Sequence, residues 1–153
     1  MLKTKGFSLL EIIIALAILG VIATLVINPF TSFRDHQVLN GAVEEILASL
    51  QQARVKTLSS EGGNQYGIHF ASNQVVLFAG TTYDPVNPSN QDIGLSSSVT
   101  ISGISLAGGS SDIVFQKLTG VTNQSGTVTI ELNSDPTLVK TVTINSNGIS
   151  DVN

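Results

Sequence analysis

Between Phe7 and Phe33 the only ionisable side chain is Glu11. The stretch Phe7–Ile27, FSLLEIIIALAILGVIATLVI, is apolar on every side of a helix. It holds about 21 residues, and at about 1.5 Å per residue such a helix is roughly 30 Å long, the hydrocarbon thickness of a bilayer. Buried core helices rarely stay apolar all round for so long. The expectation is therefore a membrane-inserted helix. Lys3 and Lys5 precede it and Asp35, Glu44 and Glu45 follow it, which predicts a cytoplasmic N-terminus with the rest of the chain outside. Ala15-Leu16-Ala17 offers a small-x-small site of the signal-peptide kind. Cleavage there would leave ILGVIATLVI at the new N-terminus, so ordinary signal-peptide removal is the weaker reading.

The chain has 153 residues, enough for one domain with a sizeable core. Hydrophobic residues make up 42% and charged residues 12%, about half the usual charged share. The balance argues against a simple cytosolic domain and against disorder, which needs few apolar groups and many charges. A net charge of −4 gives no electrostatic reason to expect nucleic acid, whose phosphates are met by clustered Lys and Arg. With no cysteine, disulfide staples, thiolate nucleophiles and Cys-ligated zinc are excluded.

After Asn28-Pro29 the pattern becomes amphipathic. Pro29 has no amide hydrogen and is expected to kink or interrupt the helix. From Arg34 to Leu58 apolar residues recur at Leu39, Val43, Ile46, Leu50, Ala53 and, after a slip, Leu58. Steps of three and four put the first five on one face. Gly62-Gly63 is the expected C-terminal stop. The two helical segments together cover about 55 residues, roughly 80 Å if nearly straight. Such a rod needs a membrane or an assembly to cover half of it.

Beyond Gly63 the period switches to two. Candidate strands are Gln65–Phe70, Gln74–Phe78, Val99–Ile104, Asp112–Gln116, Gly126–Leu132 and Leu138–Asn145, with a short last strand at Ile149–Val152. Ala71-Ser72-Asn73 suggests a tight hairpin. Tyr83–Ser98, with Pro85 and Pro88, reads as a long polar loop. A half-buried antiparallel sheet needs cover for its apolar face, and the Leu39–Leu50 stripe is the natural candidate.

The N-terminal sequence KGFSLLEIIIALAILGVIATL resembles that of the type IV pilin and pseudopilin superfamily. A short basic leader ends in Gly6. Phe7, Ser8, Leu9, Leu10 and the single acid Glu11 follow, and then an unbroken apolar helix. The resemblance implies that a prepilin peptidase cuts between Gly6 and Phe7 on the cytoplasmic face and methylates the new amine of Phe7. Losing Lys3 and Lys5 makes the mature chain more acidic still.

A carboxylate inside an apolar helix costs about 2.5–3.5 kcal/mol on insertion scales, so it calls for a partner. The resemblance implies that the partner of Glu11 is the N-terminal amine of a neighbouring subunit. That pairing lets a subunit leave the bilayer in register with a helical bundle. On the residues alone, a snorkelling acid at the positive end of a helix is an equal reading. Gly20, Ala15, Ala17 and Ala23 suit close helix packing, or simple apolar filling.

Leu50–Phe70, LQQARVKTLSSEGGNQYGIHF, looks like the GspH/FimT branch of the superfamily through Leu50, Ala53 and Arg54. Asp112-Ile-Val-Phe115 with Gly120, the strand segments Thr127–Leu132 and Thr141–Asn145, and Gly148 are similar to the later parts of that branch. Some members bind DNA through a basic C-terminal segment. Here no Arg or Lys follows Lys140, so no nucleic acid is expected.

His36 and His69 lie far apart and show no metal-ligand spacing. No Gly-x-Ser-x-Gly elbow occurs; Gly103-Ile-Ser105-Leu-Ala107 is a near miss within a strand. Asp84, Asn87, Asn90 and Asp92 form an oxygen-rich loop whose order does not match an EF-hand. Asn123-Gln-Ser125 fits a glycosylation sequon, a pattern frequent by chance.

The expected fold is α+β, with a long N-terminal helix on an antiparallel β domain. Residues 1–6 are the leader, 7–29 the membrane or fibre-core helix, 30–62 the amphipathic helix and 63–153 the β head. The resemblance implies a non-enzymatic pseudopilin or minor pilin, without cofactor or metal, in a type II secretion or type IV pilus machine. Its partners would be prepilin peptidase, other pilin-like subunits and the inner membrane, with the head periplasmic or extracellular. The alternative is a membrane-anchored binding or adhesin module that enters no filament.

Overall fold

The computed structural model describes the backbone of residues 6–152 and, outside 25–31, their side chains. Of the expected leader only Gly6 lies within the described residues. The chain divides after Asp35 into two compact units. Helix α1, Leu9–Leu58, is 50 residues long; it begins in the first unit and ends in the second.

In the first unit the Ser8 carbonyl accepts the Glu11 N–H at 3.0 Å and the Ile12 N–H at 3.2 Å, which starts the helix. From Leu9 to Thr24 every side chain is exposed. The interruption expected at Pro29 is absent, because α1 runs through it without a break. The missing N–H removes one bond of the ladder, and the neighbouring turns carry the helix past it. Among the described residues no helix is long and apolar enough to cross a membrane. The end of the expected span, 25–29, lies outside the residues whose side chains are described.

In the second unit the stripe Leu39, Val43, Ile46, Leu50 and Ala53 is buried, joined by Ala42. The four-three spacing then continues to Thr57, which is 0% exposed, while Leu58 is 39% exposed. The slip to Leu58 read from the sequence is thus corrected: the helix keeps its register, and a hydroxyl takes the next inward position. The helix also stops at Leu58, ahead of Gly62-Gly63. Ser60 adopts a left-handed φ of 51°, and Gly62 and Gly63 follow at 58° and 73°, reversing the chain towards the first strand.

Among the described residues eight strands form two four-stranded antiparallel sheets, where the sequence suggested one. Strands β1 (Tyr66–Ala71), β2 (Gln74–Ala79), β3 (Gln91–Gly94) and β5 (Asp112–Val114) make the first, in the order β3-β2-β1-β5. Strands β4 (Val99–Leu106), β6 (Gly126–Leu132), β7 (Asp135–Ile144) and β8 (Ser150–Val152) make the second, in the order β4-β6-β7-β8. The β1–β2 hairpin closes on Ala71↔Gln74, with Ser72 and Asn73 as its turn. Alternation fixes the register of β6 and β7: Val128 faces Val142 on the buried side, while Thr127↔Thr143 and Thr129↔Thr141 pair on the other. Ile68, Phe70, Val75, Leu77 and Ile113 of one sheet, Val128, Ile130, Leu132, Val142 and Ile144 of the other, and the α1 stripe share a single core.

Three sequence expectations change here. β7 starts at Asp135, ahead of Leu138, and β5 ends at Val114, with Phe115 continuing only as a bridge to Thr122. Part of the expected loop Tyr83–Ser98 is strand β3, which covers the edge of β2 from Gln74↔Gly94 to Leu77↔Gln91. Its side chains are largely exposed. The pairing is thus carried by backbone bonds, which apolar alternation does not report. The loop before it folds onto the outer face of the first sheet, where Tyr83 stacks on His69 at 4.0 Å between ring centroids and meets Phe78 edge-on at 5.6 Å.

Candidate functional site

Two sets of residues singled out from the sequence can be followed to their places. The first is the N-terminal set. Gly6, Phe7 and Ser8 precede the helix outside any helix or strand, and Phe7 is 80% exposed. A Cβ added at Gly6 would meet nothing within 4 Å, so the fold itself does not require glycine there. Glu11 lies in the first turn of α1 and is exposed, at the end of a helix where an acid is electrostatically favoured. Ser8 and Glu11 have the spacing of a capping box, and the helix starts on backbone bonds to the Ser8 carbonyl. Around Glu11 the side chains Leu9, Leu10, Ile12, Ile13 and Ile14 are all exposed. An acid set in unpartnered apolar surface is suited to pairing with a cation brought by another molecule.

The second set lies in the β unit. Arg54, Gly120 and Gly148 come from the end of α1, the connection between β5 and β6, and the turn between β7 and β8, and they meet at one point. Arg54 Nε donates to the Gly120 carbonyl at 3.0 Å. Both glycines have a left-handed φ, 65° and 78°. A Cβ on Gly148 would come within 1.9 Å of the Gly120 oxygen and 2.9 Å of Arg54 Nε. Only glycine fits that approach. The Gly148 N–H closes its own turn on Asn145 O at 2.9 Å, and the Thr122 N–H reaches Ser146 O at 3.0 Å. The junction therefore ties helix, connection and turn together through the Arg54 side chain and backbone groups.

Next to it the last turn of α1 is pinned. Thr57 Oγ1 donates to Ala53 O at 2.9 Å and accepts the Tyr66 N–H at 2.9 Å. Lys56 Nζ bonds Glu61 Oε1 at 2.6 Å, and this hydrogen bond holds the Lys56 ammonium above its ordinary pKa. Lys117 Nζ donates to the Gly63 carbonyl, closing the turn from the other side.

The remaining candidates do not converge on a site. His69 Nδ1 lies 2.6 Å from Asp112 Oδ1 across the β1–β5 ladder, a pairing that separation in sequence hides. His36 is exposed on α1. Three of the four oxygen-bearing side chains of the Asp84–Asp92 loop accept hydrogen bonds from protein groups, while Asn90 donates its amide to Asp84 O at 2.7 Å and leaves its buried Oδ1 without a partner. Asp84 Oδ1 accepts the Val86 N–H at 3.1 Å, Asn87 Oδ1 the Ser89 N–H at 2.9 Å, and Asp92 Oδ2 the Gln74 amide at 2.9 Å. Asn123 Oδ1 accepts from Gln116 at 3.1 Å. Among the described residues no group of three or more His, Asp or Glu side chains is placed to hold a metal ion.

Comparison with known proteins finds matches over both parts of the chain. The family described as "Type II transport protein GspH" matches residues 42–148, and the "Prokaryotic N-terminal methylation motif" matches residues 1–27. No curated protein matches the chain. Among solved structures, the type IV minor pilin FimU of Pseudomonas aeruginosa strain PAO1 has the same fold, with a TM-score of 0.55 at 17% identity over 79% of this chain and 92% of that one. A prepilin-type N-terminus carrying a head that the GspH family matches through most of its length makes the chain a member of the GspH family of pilin-like proteins.

Proposed function

We propose that the chain is a non-enzymatic filament subunit, a pseudopilin or minor pilin of a type II secretion or type IV pilus machine. The observation that carries this reading is the pairing of a methylation-motif N-terminus with a helix start whose apolar side chains, Phe7 to Ile22, all lie exposed around one acid. Prepilin peptidase cuts between Gly6 and Phe7 and methylates the amine of Phe7. The apolar segment from Phe7 holds the subunit in the inner membrane with the head outside, and Glu11 then pairs with the N-terminal amine of a neighbouring subunit as the helix enters the fibre. Exposure of the Gly6–Phe7 bond and the absence of any fold requirement for glycine at position 6 support processing there.

Intact mass spectrometry of the protein recovered from membranes tests the reading. A mature chain lacking Met1–Gly6 and carrying one added methyl group is expected. An uncut chain overturns it and favours an anchored binding module.

A further inference from the structure

A polar groove of about 290 Å³ lies in the β unit, lined by Leu47, Gln51 and Arg54 of α1 and by Gly148, Ile149 and Ser150. Three features of it are left unused by the fold described above. First, Arg54 spends its Nε on Gly120, and among the described residues it takes part in no ion pair. The bond to Gly120 fixes the guanidinium while its terminal nitrogens stay uncommitted. Second, Ser150 Oγ is shut off from solvent and has no hydrogen-bond partner, an arrangement that protein interiors rarely tolerate without a ligand or water. Third, β8 is the edge of its sheet. The Asn145 N–H bonds Ile149 O, so the backbone groups of Ile149 and Asp151 turn towards β7. Antiparallel alternation then turns those of Ser150 and Val152 to the open side.

We propose that this groove binds an extended acidic peptide segment of another protein, which adds to the free edge of β8 and places a carboxylate on Arg54. A planar guanidinium held from one side is matched to a carboxylate, which it takes in two parallel hydrogen bonds. The open strand edge supplies the main-chain bonds of strand addition, and Ser150 Oγ gains the partner it lacks. One arginine on a chain of net charge −4 suits a single carboxylate better than the phosphates of a nucleic acid, which call for clustered cations.

The test uses the full chain in detergent micelles, labelled with 15N, and two probes. These are acetyl-Val-Asp-Val-Asp-Val-amide and the same peptide with Asn in place of Asp. Saturable shifts of the Ser150 and Val152 amides and of Arg54 Nε–H are expected with the Asp peptide, and binding of the Asn peptide is expected to be about tenfold weaker or less. Arg54 variants risk the fold through Gly120, so the decisive variant is Gln51→Glu. It sets a carboxylate one turn from Arg54 at an exposed helix position, and it is expected to weaken the Asp peptide about tenfold with the rest of the spectrum unchanged. Equal response to both peptides, no response at Ser150 and Val152, or undiminished binding by Gln51→Glu overturns the proposal. Shifts of the same amides with protein concentration alone overturn the choice of occupant, assigning the groove to a second copy of this chain.

Discussion

The Thr57 hydroxyl accepts the Tyr66 amide hydrogen at 2.9 Å, joining the last turn of α1 to the first residue of β1. The same oxygen donates to Ala53 O at 2.9 Å, so a fully buried hydroxyl is satisfied twice. Thr57→Val keeps the shape and removes both bonds, leaving the Tyr66 N–H without its acceptor. A loss of about 1–3 kcal/mol in unfolding free energy is expected from urea titration, while Thr57→Ser keeps the oxygen and loses less. Equal losses for the two variants would locate the effect in packing rather than in the hydrogen bond.

Gly148→Ala is expected to be among the most damaging single changes in the β unit. The left-handed backbone at φ 78° strains any L side chain, and a Cβ would come within 1.9 Å of the Gly120 oxygen. Strain alone costs about 1–3 kcal/mol, and the clash adds to it by pushing Gly120 off Arg54. Gly20→Ala is the contrast, since its Cβ would meet nothing within 4 Å and alanine gains about 1 kcal/mol of helix propensity. Thermal melts of the two variants should separate widely, with the β unit of Gly20→Ala melting as the parent does.

What the sequence revealed, and what it hid, follows from the range of each interaction. The four-three spacing of Leu39 to Ala53 is local, and it named the buried face of α1. It failed one step later, because Thr57 is held inward by a hydrogen bond and carries no hydrophobic signal. Arg54, Gly120 and Gly148 were each recognisable from a family resemblance. Their meeting was not, since the Arg54–Gly120 bond joins residues 66 positions apart and rests on a carbonyl that every residue has. β3 was invisible for a similar reason: Gln91-Asp92-Ile93-Gly94 contains one apolar side chain and pairs through its backbone. His69 and Asp112 face each other only because β5 pairs with β1.

Asp135 opens β7 with its Oδ1 accepting the Thr137 N–H at 3.0 Å and the Thr137 O–H at 2.6 Å. These bonds hold its carboxyl below the ordinary value of 3.8. A folded-state pKa below the unfolded one means a stabilising contribution that is fully present above the unfolded value. It is lost as pH falls through the lowered folded value. The parent should therefore be more stable than Asp135→Asn at neutral pH, with the gap narrowing as the pH drops below 3.8. Melting temperatures of both proteins across an acid pH series check this, and a gap that stays constant contradicts it.

Glu11 separates processing from assembly. It lies in the first unit, exposed in the first turn of α1, so replacing it removes no contact of the β unit. Glu11→Val also removes a charge that costs about 2.5–3.5 kcal/mol in a bilayer, so insertion should be no worse than in the parent. The variant is therefore expected to reach the membrane, to lose Met1–Gly6, to carry its methyl group and to melt like the parent. What it lacks is the carboxylate for a neighbouring subunit's amine, so its recovery in sheared filaments should fall at least about tenfold, the effect of losing roughly 1.4 kcal/mol of pairing. Mass spectrometry of the membrane pool and quantitation of the filament fraction separate the two steps. Full incorporation of Glu11→Val would assign the acid to the helix start, where it complements the helix dipole, and remove it from assembly.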